Sequence, residues 1–467
     1  MQIRTRIAPS PTGTLHIGTA RTALFSWLFA RQNKGEFVLR IEDTDLERSD
    51  PRFEKDIIDG LRWLGIDWDN KTPYRQSERL QLYEGYLKKL LDEKKVFYCP
   101  HSEEDLARER EEQMGRKEAP RHVCEFREGG VETGIIRFKN DFNGDITFND
   151  MIRGEINFAA TLLGDFSLAK NLKAPLYNFA VVIDDYEMQI SHVIRGEDHI
   201  PNTPKQILIQ RALNIPAPRY AHLPLILGKD RSKMSKRDGA TSINEYKKDG
   251  YVADALINFI ALLGWHGRED REIFTREELV MEFSFERVQK GGAVFDIDKL
   301  NWMNKEYVKL MDQQNIAREA SDFLPEEWRE IIKNNEKLWM RIIDLVKERI
   351  VKFGDVPEYV DYFFQMPFYP KEMLAWKGKQ SHSDILRHLN KINELADTIA
   401  ENDFTKENLE KELMPYAEKE GRGDVLWPFR VSLCGKQYSP GPFEIAAVLG
   451  KSEVLTRVKS AMALLSD

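Results

Sequence analysis

An open α/β sheet, broken by an insertion and followed by an all-helical half, is the fold class this sequence predicts. Three observations predict it. Short apolar strand-like runs alternate with helix-period runs from Ile3 to Leu91. That rhythm stops between about residues 95 and 175, then resumes at "YNFAVVIDDYEMQISHVIRGEDH". Beyond about residue 250 the pattern is almost entirely helical.

Taken in order, Ile3 to Ala8 is short and partly β-branched, and Pro9 and Pro11 end it as a strand. From His16 to about Arg31, the residues Ile17, Ala20, Leu24, Trp27 and Leu28 recur at helical spacing. Gly35 stops that helix, and "EFVLRIEDTD" reads as a second strand ending in acids. Ile57, Ile58, Leu61 and Leu64 mark another helix, and Leu80, Tyr83, Leu87, Leu90 and Leu91 a further one. The insertion holds strand-like runs, "GIIRFK" and "GEINFAA". In the C-terminal half, "REIIKNNEKLWMRIIDLVKERI" places Ile331, Ile332, Leu338, Trp339, Ile342, Ile343 and Val346 on one side of a helix. "SPGP", from Ser439 to Pro442, marks a turn before a final helix.

Composition narrows the class. At 467 residues the chain is too long for one core. With 42% hydrophobic and 31% charged residues it reads as a globular protein. No run of about eighteen apolar residues suits a membrane span. "MQIRTRIAPSP" has no apolar signal core, so a cytoplasmic location is expected. Three cysteines argue for a reducing compartment rather than a disulfide framework. The net charge of −8 leans against wholesale nonspecific nucleic-acid binding, without excluding a local basic face.

Two stretches carry chemistry. In "RIAPSPTGTLHIGTARTALF", a strand, a proline-stiffened loop and a helix start aim backbone N–H groups at an anion. His16 offers a donor to a phosphate, and Gly18 lets a flat base or ribose lie against the helix. A lone H-x-G is more often a cap or a packing feature. In "GKDRSKMSKRDGATS", Lys229, Arg231, Lys233, Lys236 and Arg237 sit in a loop bracketed by glycines. Lysines there can follow charge developing on a transferring phosphate; the plain alternative is a solvated basic loop.

Together the two stretches resemble the paired signature of class I aminoacyl-tRNA synthetases: "HIGT" as the first motif and "KMSKR" as the second. Thr19 stands where the class motif has histidine. "RIEDTD", "HVIRGEDHIPNTPKQ", "FDIDKLNWMN" and "SPGPFE" extend the likeness to the bacterial-type glutamyl-tRNA synthetases, over residues 6 to 444. The resemblance implies a Rossmann-like catalytic domain at 1–95 and 176–245, with an inserted α+β acceptor-binding domain at 96–175. A helical stem-contact domain at 246–312 and all-α anticodon-binding domains at 313–467 would follow. It implies a monomer that joins L-glutamate to tRNA(Glu), using ATP and Mg2+ and passing through glutamyl-adenylate. Charging of tRNA(Gln) as well stays open.

By the same resemblance, His16, Gly18, Lys233, Lys236 and Arg237 bind ATP, and the first four carry catalysis. Arg6 reads the side-chain carboxylate of glutamate, which a planar guanidinium grips in bidentate fashion. Glu42 receives the substrate ammonium. Ala8, Ser10, Tyr177 and Arg195 complete the glutamate pocket. In "LWPFR" Trp427 and Phe429 are more readily core than base-stacking rings. Cys99, His101, His122 and Cys124 form C-x-H and H-x-C pairs, a set that suits tetrahedral Zn2+. Relatives permute those cysteines and histidines or lack the metal, so zinc stays open.

Rival readings are weaker. A glutamine-specific relative would carry β-barrels in place of the C-terminal helices. A shorter glutamyl transferase lacks that half, and a small-alcohol nucleotidyltransferase has no need of "KMSKR", the insertion and the tail together. The intact His16, Gly18, Lys233 and Lys236 oppose a non-catalytic tRNA binder.

Overall fold

The computed structural model describes residues 2–45, 47–232, 234 and 242–466. They divide into two compact units, one of residues 1–247 and 253–300, the other of 248–252 and 301–467.

The first unit opens with β1 (Arg4–Ile7), α1 (Ile17–Gln32), β2 (Glu36–Ile41), α2 (Pro51–Trp63), β3 (Tyr74–Arg75) and α3 (Leu80–Asp92). The helix signals are the usual ones. Asp50 caps α2 by accepting from the Arg52 N–H at 2.8 Å, and Pro51 fills the first helical position. β1, β2 and β3 pair in parallel. After α5 (Tyr177–Glu187) come β10 (His192–Gly196), α6 (Thr203–Leu213) and β11 (Arg219–Leu223); the strands numbered between lie in the insertion described next. β10 and β11 are parallel partners. The Ser191 N–H donates to the Arg4 carbonyl at 2.9 Å, which sets β10 beside β1. Two sheets thus lie edge to edge, β3-β2-β1 beside the one that β10 and β11 open, and the strand order reverses between them; ligands bind at such a reversal.

The stretch expected as an insertion supplies strands to two sheets. β4 (Val96–Cys99), β5 (Ile135–Phe138), β8 (Ser167–Asn171) and β9 (Ala174–Pro175) make an antiparallel sheet beside α4 (Glu103–Gly115). The hairpin of β6 (Asp145–Asp150) and β7 (Gly154–Ala159) instead joins the catalytic sheet, giving the order β10-β11-β6-β7. One core runs under both, from Val38 and Tyr83 through Ile136, Leu168 and Ile183 to Tyr220. Beyond β11, β12 (Ile226–Leu227) pairs with β13 (Ala293–Val294), whose two residues lie in the region read as helical.

The second unit is helical, as its periodicity predicts. The single helix expected over 329–350 is two: Glu326–Asn334 and Glu336–Val346. Asn335 interrupts them with φ −144 and ψ 67, and its side chain caps the second by accepting from the Leu338 N–H at 3.1 Å. Ile332, Trp339, Ile342, Ile343 and Val346 are buried, whereas Ile331 is exposed. Pro442 opens the helix Pro442–Leu449, and a further helix, Lys451–Ser466, follows, so "SPGP" precedes two helices. Phe429 is fully buried, and Trp427 is half-buried with its indole N–H on the Met373 carbonyl. Phe368, at 99%, and Tyr438, at 87%, are the most exposed rings of this unit among the described residues. No helix among the described residues is long and apolar enough to cross a membrane.

Gly35, between α1 and β2, is a close-approach glycine. A Cβ there would lie 2.3 Å from the Ile3 carbonyl oxygen, backbone that cannot swing aside. Gly35→Ala is expected to cost about 1–3 kcal/mol and to lower the thermal denaturation midpoint. Gly85→Ala, whose Cβ meets nothing within 4 Å on α3, is expected to hold or raise it.

Candidate active site

The proline loop is fixed before any ligand arrives. The Glu42 N–H donates to the Pro9 carbonyl at 3.0 Å, and the Asp50 N–H to that of Pro11 at 2.9 Å. Half-buried Ala8 and exposed Ser10 are thereby held against the end of β2, where Glu42 stands.

At the start of α1, His16 caps the helix. Its Nδ1 accepts from the N–H groups of Gly18 at 3.1 Å and Thr19 at 3.4 Å. That leaves the ring proton on Nε2, which lies 3.1 Å from the Thr19 hydroxyl. A Cβ on Gly18 would sit 3.0 Å from the imidazole, so the glycine makes room for the ring as well as for a ligand. The capping role and the donor role expected of His16 are therefore compatible, because they use opposite nitrogens.

Lys233, Lys236 and Arg237 lie outside the described residues. The ends of their segment are placed. The Met234 N–H donates to the Ile226 carbonyl. Ser242 forms an antiparallel bridge with His16, and the Ile243 N–H donates to the Leu15 carbonyl at 2.8 Å. Asp56 clamps this junction, accepting from the Leu15 N–H at 2.7 Å and the Asn244 amide at 2.7 Å. Ser242 and Ile243, which follow the basic segment, thus lie against the first motif. Asp56 escaped the sequence reading because nothing about "FEKDII" marks that acid apart from its neighbours.

The pocket beside them rests on a buried charge network. Arg6 donates to Asp185 at 3.2 Å and to the Ile194 carbonyl. Arg40, completely buried, reaches Asp185 at 2.7 Å and Glu42 at 3.0 Å, with Asp184 at 3.6 Å. Asp184 also accepts from Gln76, Arg79 and Tyr83. Burial alone would raise the Asp185 carboxyl, but Arg6 and Arg40 outweigh it and hold it below its usual value. Burial raises the Glu42 carboxyl, and Arg40 and Arg6 oppose this without reversing it. An arriving ammonium would favour its charged form. Arg40, Asp184 and Asp185 lie inside the quoted runs "LRIEDTD" and "AVVIDD", yet alternation marks Arg40 only as one more strand position.

Tyr177 faces the same pocket. Burial pushes its hydroxyl up, and the charges of Glu42, Arg195 and Arg6 all act on it. That hydroxyl lies 3.1 Å from His199 Nδ1. Burial lowers His199 to about 4, with Arg195 adding to the shift, so the imidazole is neutral at pH 7. Arg195 donates to His222 Nε2 at 3.1 Å and to the Thr203 hydroxyl at 2.8 Å. Its Nη1 is buried and has no partner among the described residues. Arg6, Glu42 and Arg195, expected from sequence to share a pocket with Tyr177, all act electrostatically on it.

A second cluster sits where β4 ends. The ligand atoms of Cys99, His101, His122 and Cys124 lie within 4.8 Å of one another. His101 Nδ1 is 3.3 Å from the Cys99 sulfur, and His122 Nε2 is 3.5 Å from it. The outward nitrogens meet carboxylates: His122 Nδ1 on Glu109 at 2.6 Å and His101 Nε2 by Glu125 at 3.4 Å. Metal-binding histidines are commonly oriented this way.

Comparison with known proteins adds the family. A model described as "tRNA synthetases class I (E and Q), catalytic domain" matches residues 2–302, and one described as "Anticodon binding domain" matches 315–462. The glutamate–tRNA ligase of Desulforamulus reducens is 41% identical, covering 99% of this chain and 100% of its own. That of Thermodesulfovibrio yellowstonii is also 41% identical, covering 98% of each. A solved glutamate tRNA ligase from Elizabethkingia meningosepticum, in complex with its amino acid, superposes with a TM-score of 0.88 at 32% identity, covering 99% of both chains.

Removing Arg40 leaves Asp184, Asp185 and Glu42 buried without their shared cation. Arg40→Met is expected to cost about 3–5 kcal/mol, read as a large fall in denaturation midpoint. Arg52→Ala, which removes an exposed pair with Asp50, is expected to leave it nearly unchanged.

Proposed function

The chain belongs to the class I tRNA synthetases for glutamate and glutamine, and on that premise we propose how its crevice joins L-glutamate to tRNA. It is a glutamate–tRNA ligase. The observation that carries the proposed chemistry is the pocket at the sheet's reversal. There two guanidiniums and a carboxylate stand ready for a ligand with two carboxylates and an ammonium.

ATP, taken as its magnesium complex, lies over the start of α1. His16 keeps Nδ1 on the helix and turns its Nε2–H to phosphate, and Gly18 admits the nucleoside. Arg6 and Arg195 grip the carboxylates of glutamate, Glu42 holds the ammonium, and Ala8, Ser10 and Tyr177 shape the wall. The α-carboxylate oxygen attacks the α-phosphorus. A new O–P bond forms, the bond to the bridging oxygen breaks, and pyrophosphate leaves with the electron pair. Lys233, Lys236 and Arg237 balance charge on the departing phosphates. The terminal ribose hydroxyl of tRNA(Glu) then attacks the activated carbonyl and expels AMP. No enzyme nucleophile is needed; positioning and charge supply the rate.

Residues 96–175 would receive the acceptor end, and the C-terminal unit would read the anticodon by stacking unpaired bases on exposed rings. Phe368 and Tyr438 suit that role better than Trp427 and Phe429, which are committed to the interior.

Lys236→Ala tests the phosphate role. ATP–pyrophosphate exchange, measured with glutamate and tRNA(Glu) present, should fall on the order of a hundredfold. Exchange at the parent rate would remove the loop from the mechanism.

The cluster at Cys99, His101, His122 and Cys124 fits structural Zn2+: four soft or borderline donors converge, and both imidazoles are braced by carboxylates. The ion would pin the segment carrying α4 to the end of β4. Protein purified without chelators should contain about one zinc per chain, and Cys99→Ser should lose it with a lowered denaturation midpoint. Metal-free protein of parent stability would refute the assignment.

A further inference from the structure

Three neighbouring strands carry one hydrogen-bonded line. Asp150 ends β6, His222 lies on β11, and Arg195 lies on β10 directly across from His222 in the parallel register. All three are buried. His222 Nδ1 is 2.7 Å from Asp150 Oδ2, and its Nε2 receives the Arg195 Nε–H at 3.1 Å. The backbone of His222 also donates to Asp150, whose other oxygen accepts from the N–H groups of Ile152 and Arg153. An acid with so many donors is a carboxylate.

These partners leave one protonation state for the ring. Asp150 only accepts, so the proton sits on Nδ1. Arg195 Nε only donates, so Nε2 must present its lone pair. A doubly protonated ring would set N–H against N–H and cation against cation in a buried place. Burial also lowers the pKa of His222, against the pull of Asp150.

Arg195 differs in this from the other guanidiniums of the pocket. Arg6 and Arg40 are ion-paired directly with Asp185. The side-chain partners of Arg195 are neutral: His222 on Nε and Thr203 on Nη2, with the Tyr220 ring 5.6 Å from its centre. Its Nη1 is buried with no partner among the described residues. A carboxylate in direct contact would share the charge of Arg195, as Asp185 shares that of Arg6. An imidazole placed between fixes the same geometry and leaves the charge available.

We propose that His222, braced by Asp150, is a positioning residue that holds Arg195 through a neutral acceptor so that its charge is kept for a carboxylate of glutamate. The inference rests on the reading of Arg195 as a glutamate-binding residue, and its test separates the two. Exchange kinetics, with tRNA(Glu) present and glutamate or ATP varied in turn, are compared for Arg195→Met, His222→Phe, His222→Gln and the double variant Arg195→Met with His222→Phe. His222→Phe should raise KM for glutamate on the order of tenfold, the size of one lost charge-assisted hydrogen bond, with KM for ATP little changed. His222→Gln restores an acceptor and should recover most of the loss. In the Arg195→Met background His222→Phe should add nothing.

If Arg195→Met raises KM for glutamate while His222→Phe leaves it unchanged, or moves glutamate and ATP alike, His222 is core filling and the inference falls alone. If Arg195→Met leaves KM for glutamate at the parent value, the pocket assignment falls with it. Should His222→Phe not fold, Thr203→Val removes the other neutral partner. A selective rise in KM for glutamate supports the proposal, and an unchanged value overturns it.

Discussion

The catalytic unit carries a cost at its centre: Arg6, Arg40 and Arg195, with Asp184, Asp185 and Glu42, are held out of water where its two sheets meet. Arg40 is the centre of that arrangement, because it alone touches Asp184, Asp185 and Glu42. Buried ion pairs seldom add net stability, but half of one is ruinous. The surroundings therefore have to be complete. Gln76, Arg79 and Tyr83 finish Asp184, and Arg6 finishes Asp185. With Asp185 satisfied, Arg6 is fixed in place, and Glu42 keeps a carboxylate whose charge burial resists. Stability and the proposed recognition of glutamate thus draw on the same side chains.

Much of this was legible in the chain itself. Helix spacing from Ile17 to Leu28, the stop at Gly35 and the prolines after Ile7 mark elements whose causes are local, and the structure has them. The family was legible because motif residues are bound to chemistry rather than to packing. What escaped were residues whose meaning depends on distant partners. Asp56 clamps the Leu15 N–H, and Asp150 braces His222 from 72 positions away. Neither leaves a periodic trace. Asn335 was hidden differently: its neighbours keep helical spacing on both sides, and only the side-chain cap on Leu338 reveals the break.

In the proposed mechanism one residue serves two purposes. His16 spends one ring nitrogen on the helix end and keeps a proton on the other. The cap fixes the tautomer, and the tautomer makes the donor. The structural role of His16 and the donor role proposed for it therefore do not compete. The bridge to Ser242 extends the economy, since the same short stretch anchors one end of the basic segment.

The hairpin of β6 and β7 belongs by sequence to the insertion and by hydrogen bonding to the catalytic sheet. Asp150 stands at its tip, so an aspartate from the inserted segment braces, through His222, the arginine proposed to hold glutamate. The insertion is consequently no detachable accessory. Excising it would carry away Asp150, and with it the brace that reaches, through His222, the arginine proposed to hold glutamate.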